Sequence, residues 1–112
     1  MSEEEQQDAQ QLMMQMQQNQ QQMQEIAQQK EQTETELQGI KKALNELDKT
    51  EGDEVFRQVG EIMVAREREE LEDELEERKE DLNVRMEGLE KKEGQLEDKI
   101  KESQSQFSQS ME

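Results

Sequence analysis

The chain has 112 residues, of which 28% are hydrophobic, 40% are charged and 2% are aromatic, and its net charge is -17 at pH 7. So small a hydrophobic fraction cannot fill a globular core. The negative charge argues against nucleic acids and anionic membranes as partners, because both are bound through Lys and Arg.

The residue types that carry most enzymatic chemistry are missing, since His, Cys and Tyr are absent. We therefore expect no enzymatic activity, no metal site and no cofactor. Residues 48–53 faintly resemble a calcium-binding loop, but Lys49 and Thr50 break the spacing of its oxygen ligands. No apolar run is long enough to span a membrane and residues 1–5 lack a signal-peptide pattern, which favours a cytoplasmic protein.

A long first helix is predicted over about residues 3–50. Its apolar residues alternate between spacings of four and three, as in a coiled coil. Ser2 and Glu5 form a capping-box pattern at its start, and Gly52 is placed to end it in a left-handed conformation. This first seam consists of Leu12, Met16, Met23, Ile26, Leu37, Ile40, Leu44 and Leu47.

A β-hairpin is predicted over about residues 54–65, where β-branched and aromatic residues concentrate. We place its turn at Val59 and Gly60, because Gly60 can take a positive φ. A plain loop between helices is the alternative, although such loops rarely hold so many large apolar residues. Nothing else in the chain can cover the hairpin, so we expect it to mediate oligomerisation. The hairpin residues proposed for this role are Val55, Phe56, Val59, Gly60, Ile62, Met63 and Val64.

A second helix is predicted over about residues 67–105, with Glu74 and Arg78 as an i,i+4 ion pair. Its seam mirrors the first, so that Leu37 faces Leu82 and Leu44 faces Leu75 when the chain folds at residue 59 or 60. Polar residues interrupt the seam, and Lys30 and Glu93 lie close enough to pair. The seam consists of Leu75, Leu82, Met86, Leu89, Leu96, Ile100 and Phe107.

The predicted fold class is therefore mainly α, with a long antiparallel two-helix coiled coil joined by one β-hairpin in a single domain, residues 1–112. At the end far from the hairpin, apolar residues spread around the helices instead of staying on the seam. Met suits a surface that binds varied partners, so we interpret these residues as a binding tip. A frayed terminus is the alternative. The tip residues are Leu12, Met13, Met14, Met16, Phe107 and Met111.

Several short segments carry a family resemblance: residues 28–30, 41–44, 55–60, 62–64 and 82–86, with Leu47 and Leu89. Through them, residues 24–102 resemble the beta subunit of archaeal prefoldin, and Val59-Gly60 within the hairpin is the most specific part. The chain departs from that family where Phe56 replaces a frequent Tyr. The acidic start of the second helix and the Gln- and Met-rich first helix are also unusual.

The resemblance implies a heterohexamer with two alpha and four beta subunits, whose hairpins assemble into β-barrels. It implies an ATP-independent holdase that captures unfolded polypeptides and delivers them to a group II chaperonin. It also implies roles for particular residues. Those implied to build the barrel are Val55, Phe56, Val59, Gly60, Ile62 and Val64, and those implied to contact client or chaperonin are Leu12, Met13, Met16 and Phe107.

Two other functions fit parts of the sequence. A structural coiled-coil adaptor or spacer would share the seams but has no need of an apolar hairpin. An acidic mimic of DNA would need a rigid charge pattern. An assay for suppressed aggregation of a denatured enzyme without nucleotide separates the holdase from both.

The crowded carboxylates of residues 69–81 suggest a salt-loving source, because molar salt shortens the screening length to about 3 Å and relieves like-charge repulsion. An ordinary acidic coiled coil is the alternative. We expect the melting temperature to rise with KCl concentration. Equal stability in dilute buffer and in molar KCl would exclude the salt-loving interpretation.

Overall fold

A computed structural model describes residues 2–110, except for the side chain of Ser110. Within them the chain forms α1 (Glu3–Lys49), β1 (Glu54–Val59), β2 (Ile62–Glu67) and α2 (Arg68–Ser110). The predicted fold class, two long helices joined by an antiparallel hairpin, is confirmed. α2 begins one residue later than predicted, because β2 includes Glu67, and it continues to Ser110 instead of ending near residue 105.

The ends of α1 are stabilised by hydroxyl side chains. Ser2 accepts a hydrogen bond from the backbone N–H of Glu5 through Oγ, at 3.2 Å, which confirms the predicted N-terminal cap. At the other end, the Thr50 hydroxyl donates to the Glu46 carbonyl at 2.7 Å. Gly52 does have a positive φ of 98°, but it lies in the link to β1. Thr50, and not Gly52, therefore satisfies the last turn of the helix.

The turn of the hairpin lies at Gly60 and Glu61, one residue later than predicted. Val59 pairs with Ile62, so only two residues connect the strands. Gly60 has a φ of 60°, and Glu61 is not in the positive-φ region. Positive φ at the first central position alone is the pattern of a type II′ turn, which matches the twist of paired strands.

The chain divides into two compact units. The hairpin unit is Gln32–Met86, and the terminal unit comprises the described parts of Met1–Glu31 and Glu87–Glu112. In the hairpin unit, Leu37, Ile40 and fully buried Leu82 form the centre of a core. Leu44, Leu75 and Met86 pack against that centre. The predicted contact of Leu37 with Leu82 is thus confirmed.

The terminal unit contains a seam of the same kind. Leu89 and Leu96 of α2 are buried, whereas the predicted seam residues of α1 in this unit are only half-buried. Lys30 and Glu93 form a partly buried ion pair, with Nζ and Oε1 3.1 Å apart. The predicted pairing of these two residues across the seam is confirmed. Every predicted seam residue of both helices is at least half-buried, so the spacing pattern located the helix contact correctly.

Candidate protein-interaction surfaces

The first candidate surface is the hairpin, whose side chains alternate between two faces. Phe56 and Met63 lie on one face and are 59% and 62% exposed. Ile62, on the other face, is 61% exposed. The hairpin therefore presents apolar side chains to solvent on both sides. The second face carries Val55, Val59, Ile62 and Val64, together with Arg57 and Arg66.

The edges of the hairpin are also open. Among residues 2–110 the sheet consists of β1 and β2 only, so each strand has an outer edge without a neighbouring strand. An edge of this kind offers backbone donors and acceptors to a strand from another chain. Two exposed faces and two open edges make the hairpin suited to adding strands and to packing against a second sheet.

Two arginines attach the second face of the hairpin to the start of α2. Arg66 donates a short hydrogen bond to the Glu74 carboxylate, and Arg57 lies 3.6 Å from the other oxygen of that carboxylate. The hydrogen bond from Arg66 lowers the pKa of Glu74, and the charges of Arg66 and Arg57 add to that effect. The same hydrogen bond raises the pKa of Arg66.

Arg68 links the ends of the two helices around the hairpin. Its backbone N–H donates to the Asp53 carbonyl at 2.7 Å, and its guanidinium donates to the Thr50 carbonyl. Asp53 precedes β1 and Arg68 follows β2, so hydrogen bonds join the two ends of the hairpin at its base. These contacts leave the apolar residues near the turn uncovered.

The predicted i,i+4 pair of Glu74 and Arg78 is wrong. Glu74 turns to the hairpin arginines, and Arg78 pairs with Glu36 of α1 at 2.8 Å. Arg78 thereby connects the two helices of the hairpin unit. Sequence spacing within one helix cannot reveal a partner that arrives from another element.

The second candidate surface is formed by the tip residues of the terminal unit. Met13 and Met14 are 50% and 60% exposed. Leu12 and Met16 face the seam and are half-buried, as is Phe107 of α2. The structure thus separates the tip into residues that hold the helices together and two methionines that meet solvent. The sixth predicted tip residue, Met111, lies outside the described residues.

Two features typical of other functional classes are absent from residues 2–110. Within residues 2–110, no group of three or more His, Cys, Asp or Glu side chains is arranged to hold a metal ion. Neither described helix contains a stretch apolar and long enough to cross a membrane.

Comparison with known proteins identifies the family. The family model described as prefoldin subunit matches residues 10–112. The chain belongs to the prefoldin subunit family. Prefoldin subunits assemble with one another and have a chaperone-type function, and these two properties follow from membership.

Individual relatives agree with the family match. The chain is 38% identical over 78 residues to a prefoldin subunit beta of Thermococcus onnurineus, covering 69% of this chain and 67% of the relative. It is 35% identical over 83 residues to the prefoldin subunit beta of Thermococcus kodakarensis, covering 73% and 71%. The crystal structure of the prefoldin beta subunit from Thermococcus strain KS-1 superposes with a TM-score of 0.82 at 35% identity, covering 91% of this chain and 90% of that one.

The sequence did not reveal two features of this prefoldin subunit. Glu74 was not recognised as a partner of the hairpin, although strand alternation places Arg57 and Arg66 on one face. Val84, which is 69% exposed on α2, was not recognised as a solvent-facing apolar residue. The sequence did offer one signal of this exposure, since Val84 lies off the predicted seam.

The arginine contacts make the titration of Glu74 testable. We expect the Glu74 carboxyl to titrate below its ordinary pKa of 4.5, and Arg66→Gln to return it toward that value. Arg57→Gln should raise it less, because Arg57 lies farther away. A depressed folded-state pKa adds stability above the unfolded-state pKa, and this stability is lost as pH falls through the folded-state pKa. NMR titration of the Glu74 side-chain carboxyl carbon measures its pKa in the wild type and in each variant. An unchanged Glu74 pKa in Arg66→Gln would contradict the assigned contact.

Proposed function

We propose that this protein is a beta-type subunit of a cytoplasmic, ATP-independent holdase. It assembles through its hairpin and captures unfolded polypeptides through its tip residues. No covalent bond is made or broken in this activity, so no catalytic residue is needed. The family membership supports the chaperone role, and the exposed hairpin is the observation that carries the mode of assembly.

The hairpin supports assembly because its own chain leaves it uncovered. Phe56 and Met63 are exposed on one face, and Val59 and Ile62 on the other. A two-stranded hairpin with exposed apolar side chains is marginal in water. Strands from other subunits would pair with its edges and cover both faces, and a closed multi-subunit β-barrel is the arrangement that leaves no edge.

The proposed partners follow from the same surfaces. Alpha-type prefoldin subunits would complete a hexamer with two alpha and four beta chains, and the assembled particle would pass its clients to a group II chaperonin. Several weak tips on one particle can hold a chain that no single tip retains. The strong negative charge of the chain disfavours nucleic acid and anionic membranes as further partners.

The tip supports client capture through Met13 and Met14. Both methionines are about half exposed or more, although their neighbours Leu12 and Met16 turn to the seam. Flexible, polarizable Met side chains adapt to varied apolar surfaces. This property suits clients that share exposed apolar residues and no common sequence.

Substitution in the hairpin should abolish assembly without unfolding the helices. Phe56→Asp places a charge on an apolar face and should weaken subunit association on the order of 100-fold. Adding Val64→Asp charges the opposite face if one change is insufficient. Light scattering after size-exclusion chromatography, with and without an alpha-type subunit, gives the assembly state, and circular dichroism gives helicity. Asn45→Asp, which adds the same charge at an exposed position of α1 outside the hairpin, is the control and should assemble as the wild type does. Unaltered assembly in the double variant would contradict the hairpin's role.

Substitution in the tip should have the opposite consequence. Met13→Ser with Met14→Ser removes exposed apolar surface and should raise the concentration needed to suppress aggregation at least about tenfold. The oligomer should remain intact. Val84→Ser removes an apolar residue of the hairpin unit that is 69% exposed and serves as the control. If the protein is instead a structural adaptor, the wild type will assemble normally and will not suppress aggregation. If the double Ser variant suppresses aggregation as well as the wild type does, the assignment of client capture to Met13 and Met14 is wrong.

A further inference from the structure

The exposed methionines lie in a part of α1 that is free of charge. Residues 9–24 contain no Asp, Glu, Lys or Arg, although 40% of the whole chain is charged. We call residues 9–24 the neutral segment. Four of the chain's 8 methionines are in it, and most of its other residues are Gln. Solvation alone does not explain the absence of charged residues from the neutral segment, because charged side chains would solvate an exposed helix equally well.

Neutral amides surround Met13 and Met14 on the helix surface. Residues three and four positions away are surface neighbours on a helix. The polar neighbours at those positions are exposed, and none of them carries charge. They are Gln10, Gln11, Gln17 and Gln18.

The adjoining part of α2 is neutral as well. Residues 103–111 also lack charged side chains. Gln106 of this stretch lines a groove of about 300 Å³ together with Leu12 and Gln15 of α1. Asp8, which also lines the groove, marks its charged border. Apart from Asp8, both helices present uncharged side chains at this groove.

We propose that this neutral surface binds extended polypeptide segments with exposed apolar side chains, regardless of the sign of the charges that flank them. The proposal rests on the proposed holdase function and specifies its client class. Met13 and Met14 would contact the apolar side chains of the segment. The surrounding Gln amides, each with a donor and an acceptor, would pair with peptide N–H and C=O groups.

Two physical effects favour this occupant. An apolar contact beside a carboxylate would remove water from a charged group, which costs free energy. An amide can exchange its hydrogen bond to water for one to a peptide group at little net cost. Asp8 lies five residues from Met13 and Glu25 lies eleven residues from Met14, or about 8 Å and 16 Å along the helix axis. These distances are about one and two screening lengths at 0.15 M salt, where the screening length is about 8 Å. Salt therefore weakens the effect that the acidic residues flanking the neutral segment have on a client bound here.

The test uses the full chain with ¹³C-labelled methionine methyl groups and three synthetic peptides. The peptides share one apolar core and are flanked by Lys, by Glu or by Gln. Shifts of the Met13 and Met14 methyl signals at 0.15 M NaCl report Kd. We expect all three Kd values to agree within about threefold, with little change between 0.15 and 0.5 M NaCl, because the contact surface is neutral and the flanking charges are screened.

Charge introduced beside the methionines should create a preference. The variant Q10E/Q11E/Q17E/Q18E keeps side-chain size and should bind the Lys-flanked peptide at least about tenfold better than the Glu-flanked one. The corresponding four Lys substitutions should reverse the preference. The control Q32E/Q38E/N45D/N83D adds the same charge to the hairpin unit and should leave the Kd ratios unchanged. Circular dichroism checks that each variant is folded.

The possible failures are distinguishable. A tenfold preference of the wild-type chain for the Lys-flanked peptide would overturn the charge-independent client class and leave client capture standing. A fourfold Glu variant that binds the Lys-flanked and Glu-flanked peptides equally would also overturn the client class and leave client capture standing. In that case the Gln residues would not border the bound peptide. If no peptide shifts the Met13 and Met14 signals, client capture at the tip and the client class are both wrong.

Discussion

The narrow seam between α1 and α2 limits what every other residue can do. Its heptad spacing directs nearly all branched apolar side chains of both helices inward, and the fully buried Leu82 shows how tightly the hairpin unit is packed. A two-helix seam has room for one stripe from each helix. Apolar residues off that stripe therefore remain in solvent unless another chain covers them. The hairpin residues and Met13 with Met14 are the two such groups to which we assign a function.

Polar contacts then fix how these elements are held. Lys30 pairs with Glu93 in the terminal unit, and Arg78 pairs with Glu36 in the hairpin unit. Ion pairs near the surface contribute little stability, but each one favours a single register of the helices. Glu74 acts differently, because it holds the hairpin to α2 through two arginines. In a chain rich in carboxylates, four of the five arginines join one element to another: Arg57, Arg66, Arg68 and Arg78.

The sequence predicted the helices, the hairpin and the seams because these depend on spacing, which is a local property. The turn was placed one residue early, since both Val59-Gly60 and Gly60-Glu61 include the glycine that takes positive φ. This error moved cross-strand partners by two positions and left every side chain on its face. The end of α1 was assigned to Gly52, because the hydroxyl of Thr50 gives a weaker sequence signal. The partners of Glu74 depend on tertiary structure and had no local signal.

For the candidate surfaces, sequence spacing predicted which residues leave the seam but not how exposed each becomes. Leu12 and Met16 were grouped with Met13 and Met14, yet only the latter two are mainly solvent-facing. Met13 and Met14 are more exposed than Leu12 and Met16 because they lie on the side of α1 that faces away from the partner helix. The neutral segment was visible in the sequence as a Gln-rich run, and its meaning became clear once the exposed methionines were located inside it.

The central claim is that other subunits cover the hairpin while the tip stays open to solvent. Paramagnetic relaxation of methionine methyl groups by a soluble, uncharged agent tests both parts in one sample, because Met63 reports on the hairpin and Met14 on the tip. In the assembled oligomer we expect strong protection of the Met63 methyl and none of the Met14 methyl. Equal relaxation of Met63 and Met14 in that oligomer would contradict the account.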